Sequence, residues 1–180
     1  MKSFLDTLEV ELPEGYLYPS DEQIKKAFNG LPLEGDCYDT KKEIWQTLRM
    51  WGESVRQSTD TVLSDEPHWV ATKNGIWMHT DDETPQFVHC LKIRVDDGQY
   101  AEGHLGCTLD LKRGTYYSFD CRKPHAVKID KSKVTREGDL WNVSIVIDSD
   151  VYIPSEIAIP RIIEYGMKAD FTEAFNDLSR

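Results

Sequence analysis

Between residues 68 and 148 the chain is written in short stretches of alternating apolar and polar side chains, each closed by turn residues. The stretches are 68–72, 75–79, 87–95, 106–110, 115–119, 126–129 and 140–147. Between them lie Lys73-Asn74-Gly75, Asp96-Asp97-Gly98, Lys112-Arg113-Gly114 and Arg136-Glu137-Gly138-Asp139. Alternation of period two puts one face of a strand on a core and the other outside. Many short strands split by glycine turns close into a sandwich or a barrel. This pattern predicts a mainly β fold with flanking helices.

The flanks read differently. The first 66 residues begin with an extended run at 8–12, then a short helix with Ser20 as its cap, Glu22 in its first turn and Gly30 at its end. A second helix is predicted from Asp39 or Thr40 to about Ser58, because Ile44, Leu48, Trp51 and Val55 recur at helical spacing. After the strands come an apolar stretch at 157–163 and a short helix beyond Asp170. One domain is expected: 1–66 as helical support, 67–148 as the β core and 149–180 as an extension bracing it.

Composition narrows the function. The N-terminus has no apolar signal core, and no run reaches the ~20 apolar residues of a membrane span, so the expected location is cytoplasmic. Cys37, Cys90, Cys107 and Cys121 form no C-x-x-C pair and are expected as reduced thiols rather than zinc ligands. The net charge of −11 repels phosphate backbones. Lys112-Arg113 and Arg122-Lys123 are too short to offset it, and nucleic acid is not the expected partner.

Two histidines bracket part of the β region. His79-Thr80-Asp81 falls at a predicted strand end, where residues i and i+2 point the same way. His125, after Pro124, begins a later strand. Two imidazoles and a carboxylate can hold one face of an octahedral metal and leave three positions open, the ligand set of non-haem Fe(II) oxygenases. His79, Asp81 and His125 are therefore the candidate metal ligands. No phosphate-binding glycine loop and no nucleophile elbow accompany them.

The wider context carries a resemblance. The H-x-D at His79-Thr80-Asp81, the segment from Gly114 through Phe119-Asp120 to His125, and the final strand from Trp141 to Asp148 resemble the core of Fe(II)/2-oxoglutarate-dependent oxygenases. The nearest in flavour are the aspartyl/asparaginyl and free-amino-acid hydroxylases. The likeness covers about residues 76–148. It implies a double-stranded β-helix (jelly-roll, cupin-like) barrel, iron at the three ligands, 2-oxoglutarate as cosubstrate and hydroxylation of a small-molecule, amino-acid or peptide side-chain substrate. It also marks a departure. The family's last strand supplies an arginine to the cosubstrate's distal carboxylate, often with a serine two residues on. Here those positions are Asn142 and Ser144, and a neutral amide forms no bidentate ion pair.

A substitute cation is available upstream. Strict alternation along 87–95 puts Val88, Cys90, Lys92 and Arg94 on one face, with Arg94 the first candidate anchor and Lys92 beside it. Lys128 and Arg136 are weaker candidates in turn-rich sequence. Among the other histidines, His68 reads as structural, His89 as a satisfied core residue, and His104 as a residue at a pocket mouth. Two other functions remain open. One is a cupin-type metalloenzyme without a keto acid, using His79, Glu83 and His125. The other is a non-catalytic β-barrel binding module. A Cys121 nucleophile paired with His125 is disfavoured by the intervening proline.

Overall fold

The computed structural model describes residues 4–24, 38–40, 43–49, 66–81 and 86–168. The strands are β1 (Phe4–Glu9), β2 (Tyr38–Thr40), β3 (Glu43–Arg49), β4 (His68–Lys73), β5 (Ile76–His79), β6 (Phe87–Val95), β7 (Gln99–Glu102), β8 (Thr108–Asp110), β9 (Thr115–Asp120), β10 (His125–Ile129) and β11 (Trp141–Ser149). One helix follows, α1 (Ser155–Lys168). Seven strands form a sheet in the order β1-β9-β6-β11-β4-β3-β2, and four form a second in the order β5-β10-β7-β8. All neighbouring strands run antiparallel. Two antiparallel sheets joined in this crossed order make the double-stranded β-helix barrel.

Alternation sorts the side chains of the large sheet into two cores. Trp69 and Ala71 of β4, Leu91 and Ile93 of β6, Tyr116 of β9 and Val143, Ile145 and Ile147 of β11 face outward. There they pack with Tyr16, Ile24 and the α1 residues Ala158 and Ile162. Val70, Val88, Cys90, Tyr117, Phe119 and Val146 face the other way and meet Ala101, Leu109 and Val127 of the small sheet, and Leu111 just after β8, inside the barrel. The layers are thus helix, large sheet, small sheet. Tyr16 fastens the outer layer by donating its hydroxyl to the Ile163 carbonyl at 3.1 Å. Burial pushes that phenol up to about 12, against the opposing pull of Arg113.

Glycine permits the turn that delivers the site. Gly75, between β4 and β5, has φ +82°, and a Cβ there would stand 2.7 Å from the Val127 carbonyl oxygen of β10. Only glycine fits both the left-handed backbone and the close approach.

The expected strands at 68–72, 75–79, 87–95, 115–119, 126–129 and 140–147 are present within one or two residues. The stretch 106–110 is shorter, because 104–106 forms a 3₁₀ turn. β7 was not anticipated. Ser20 does cap a helical turn at 21–24: Gln23 N–H donates to Ser20 Oγ at 3.2 Å and Ser20 N–H to Gln23 Oε1 at 2.8 Å, a reciprocal capping box. The run to Gly30 lies outside the described residues.

The helix expected from about 39 to 58 is corrected. Tyr38–Thr40 and Glu43–Arg49 are strands, and β3 pairs with β4 from Gln46↔Lys73 to Arg49↔Val70. The segment Glu-Ile-Trp-Gln-Thr-Leu-Arg is compatible with either period and contains β-favouring Ile, Trp and Thr. The open edge of β4 supplies the hydrogen bonds that decide it. Residues 50–58 lie outside the described set. At the C-terminus, the apolar stretch at 157–163 is the body of α1, and the helix expected beyond Asp170 lies outside the described residues.

Candidate metal centre

The three candidate metal ligands converge at one end of the barrel. There β5, β7, β9 and β11 end, and β4, β6 and β10 begin. His79 is the last residue of β5 and pairs directly with His125, the first of β10, so the two side chains leave the same face. Four residues of β5, Ile76 to His79, oppose three of β10, His125 to Val127; this bulge aims His79 across its neighbour. Asp81 is brought alongside by its own backbone N–H, which donates to the Cys121 carbonyl at 2.9 Å.

The three side chains offer one ligand atom each within 4.8 Å of one another. Asp81 Oδ1 lies 3.5 Å from His79 Nε2, and Oδ2 lies 3.1 Å from His125 Nε2. Neighbouring donors around an ion held at roughly 2.1 Å stand about 3 Å apart, so the spacing fits a first-row divalent metal. His125 Nδ1 lies 2.8 Å from the Lys123 carbonyl. With Nδ1 donating there, Nε2 keeps its lone pair for a metal. The His125 ring also packs on Phe119, centroids 4.7 Å apart, which fixes the ring plane. The donor set predicted from sequence is assembled by the fold and suits a divalent ion.

The inner wall of the large sheet runs inward from this mouth. Lys92 and Ser144 are direct partners on β6 and β11, and Lys92 Nζ donates to Ser144 Oγ at 3.0 Å. The ammonium also lies 5.5 Å above the Tyr117 ring. Tyr117 stacks on Phe119, joining the lysine to the triad by an aromatic wall. Lys92 is 5% exposed. Among the described residues no carboxylate pairs with it. Asn142 and Thr72, also partners, lie one rung deeper. Asn142 Nδ2 reaches Gln99 Oε1 at 3.4 Å, while Asn142 Oδ1 and Thr72 Oγ1 are buried without a hydrogen-bond partner among the described residues.

Arg94 does not share that wall. Val143 opposes Arg94 and Ser144 opposes Lys92, so β6 carries one extra residue, Ile93. This bulge reverses the side-chain parity after Lys92. The Arg94 guanidinium is committed to Asp96 at 3.1 Å, Asp21 at 2.6 Å and the Pro19 carbonyl at 2.9 Å, and it stacks on Tyr18. Arg136 completes the cluster with Asp21 and Asp96. Hydrogen bonds from Arg136 and Arg94 hold the Asp21 carboxyl well below the usual carboxylate range. The expectation that Arg94 anchors a cosubstrate is therefore corrected: it clamps the N-terminal segment to the sheet. Lys128 also looks elsewhere, pairing with Glu102 at 3.1 Å.

His89 is the core residue expected: its Nδ1 lies 3.0 Å from the Ile147 carbonyl, and its Nε2 accepts from Ile153 N–H at 2.9 Å. His104 stands in the 3₁₀ turn at the metal end. Glu83 lies outside the described residues. Sequence reasoning passed over one pair, His68 and Asp148, whose atoms approach to 3.4 Å. Alternation from Ser144 through Val146 to Asp148 was the signal that places the carboxylate on the inner wall.

No protein-family model matches the chain, and no curated protein sequence matches it. Similar solved structures include an RmlC-like cupin from Desulfovibrio desulfuricans, with 12% identity over 64% of this chain and 92% of that one and a TM-score of 0.35. Another is a predicted oxalate decarboxylase from Thermotoga maritima, with 12% identity over 58% and 80% and a TM-score of 0.38. A third is a cupin-like protein from the same organism, with 8% identity over 65% and 83% and a TM-score of 0.39. No described helix is long and apolar enough to cross a membrane. The chain is a mainly β, double-stranded β-helix barrel with a His-Asp-His group at its mouth that can hold a metal ion.

Proposed function

We propose that this protein is a non-haem Fe(II) and 2-oxoglutarate-dependent dioxygenase that hydroxylates a small-molecule, amino-acid or peptide side-chain substrate. The observation that carries the reading is the convergence of His79, Asp81 and His125 on one point at the barrel mouth. Iron held there supplies dioxygen activation coupled to oxidative decarboxylation of the keto acid. The chain's own residues do the rest. Lys123, through its carbonyl, orients His125. Lys92 is the counter-charge for the cosubstrate's distal carboxylate. Ser144 accepts from Lys92 and so has its own hydroxyl proton to donate to the same group. Thr72 can add a second hydroxyl. Asn142 forms no ion pair, and Lys92 takes over the task of the missing arginine. Phe119, Val88 and Val146 make the inner face between the two ends apolar.

A second reading rests on Asn142 itself: a metalloenzyme of the same barrel that uses no keto acid. One experiment separates the two. Fe(II)-loaded protein titrated anaerobically with 2-oxoglutarate is expected to develop the weak visible charge-transfer band of a chelated keto acid. Asp81→Ala should abolish metal binding, and Lys92→Met should keep iron but weaken 2-oxoglutarate at least tenfold. Iron without a band would support the second reading. Absence of iron binding would leave a non-catalytic binding barrel.

A further inference from the structure

The mouth of the barrel carries a second histidine–carboxylate pair, on the wall facing the metal ligands. Asp148 is the penultimate residue of β11 and His68 the first of β4, so both sit at the metal end. Both lie on the inner face, in step with Val146 and Ser144 on β11 and with Val70 on β4. Phe119, which touches His125, is followed across the sheet by Val88 on β6 and then by Asp148 on β11. Two inter-strand steps span about 10 Å, the width of a small substrate group.

The pair is not core filling. Deeper positions on the same wall are Val70, Cys90 and Val146, and a carboxylate beside them must be matched by a partner or face solvent. Asp148 does both: it is paired with His68, which is 8% exposed, and its own side chain is 24% exposed. The His68 ring spans two oxygens, Asp148 Oδ2 at Nε2 and the Glu66 carbonyl at Nδ1, each at 3.4 Å. The histidine is thereby tied to the backbone and holds the carboxylate toward the opening. Charge then divides the inner wall: a carboxylate at the mouth and, four strand positions deeper, the Lys92 ammonium. An anionic cosubstrate and a cationic substrate sent into this barrel part by charge and do not compete. The chain's net charge of −11 steers cations in the same direction.

We infer that Asp148, positioned by His68, selects a substrate bearing a protonated amine or guanidinium and orients it over the metal ligands. This rests on reading His79, Asp81 and His125 as the metal centre, and it adds the substrate class. The test is calorimetric titration of Co(II)-loaded full-length protein with L-lysine, L-arginine, the Nα-acetyl amide of lysine, L-norleucine and L-glutamate. At least one cationic probe should bind ten times or more tighter than norleucine, which keeps the carbon chain and lacks the terminal ammonium. A preference for free lysine or arginine would indicate a free amino acid, and a preference for the acetylated amide a peptide side chain. Asp148→Asn should erase the discrimination with Co(II) affinity unchanged, Asp148→Glu should restore part of it, and His68→Gln should weaken it. Norleucine binding as well as lysine, glutamate binding best, no cationic probe binding, or discrimination surviving in Asp148→Asn would each overturn the inference. Should 2-oxoglutarate fail to bind while Asp148 still governs lysine over norleucine, the oxygenase reading falls and this one stands.

Discussion

Lys92 and Arg94 carry the same charge two residues apart, and the fold uses them oppositely. Arg94 is buried with two carboxylates. Burial pulls its pKa down, but the hydrogen bonds it donates to Asp21 and Asp96 more than offset this and leave it raised. Removing it leaves Asp96, which is almost fully buried, and Asp21, which is more exposed, with Arg136 as their remaining cation. Arg94→Met is expected to cost about 2–3 kcal/mol, below the full penalty for a broken buried pair because Asp21 is partly solvated. Lys92 holds a desolvated ammonium against one hydroxyl and a ring face. Replacing it with an apolar side chain of similar length removes that burden, so Lys92→Met is expected to be neutral or stabilising. Urea denaturation of the two variants checks the opposite signs; a large loss of stability in Lys92→Met would mean that its ammonium has a structural task. Sequence alone does not separate these lysine and arginine roles. Alternation from Val88 places them on one face, and the single extra residue at Ile93 has no signature of its own in the chain. His79, Asp81 and His125 were legible for the converse reason. An H-x-D at a strand end and a histidine just after Pro124 are local signals, and local backbone geometry is what sets their direction.

At the scale of elements, legibility followed the source of the hydrogen bonds. β6 and β11 lie in the middle of the large sheet, are buried on both faces, and announce themselves by apolar runs. β3 is added to the flank of β4, and nothing in Glu43–Arg49 names that partner, so its helical spacing misleads. β7 escaped notice because Gln99–Glu102 is short and only half apolar. The turn between β4 and β5 is the element on which the metal centre depends, since β5 must leave Gly75 in register to bring His79 opposite His125. Gly75→Ala puts a Cβ against the Val127 carbonyl at a backbone angle that suits only glycine. A loss of about 2 kcal/mol or more is expected, by relief of the clash through movement of β5 against β10. The same shift should weaken Co(II) binding at least tenfold, measured by competition with a chelator. Weakened stability with metal affinity intact would show that β5 is held in place by other contacts.

For the molecule as a whole, the metal ligands are also a clasp. Asp81 follows the end of β5, is tied through its backbone to Cys121 just past β9, and faces His125 at the start of β10. An ion shared by the three residues therefore cross-links β5, β10 and the segment after β5, which the Asp81 backbone ties to the end of the large sheet. Without it, that closure rests on the bonds between Asp81 and the two imidazoles and on the apolar packing around Phe119. A ligand that binds only the folded chain stabilises it by RT ln(1 + [L]/Kd), about 2.7 kcal/mol at a hundredfold excess over Kd. Thermal unfolding should accordingly rise with Co(II) or Fe(II) concentration and fall back on addition of chelator. Asp81→Ala should unfold at one temperature regardless of metal, and Lys92→Met should keep the full metal-dependent rise, because its charge lies deeper than the clasp. A rise that persists in Asp81→Ala would place the bound ion elsewhere, and the open acidic surface of so negative a chain would then be the first place to look.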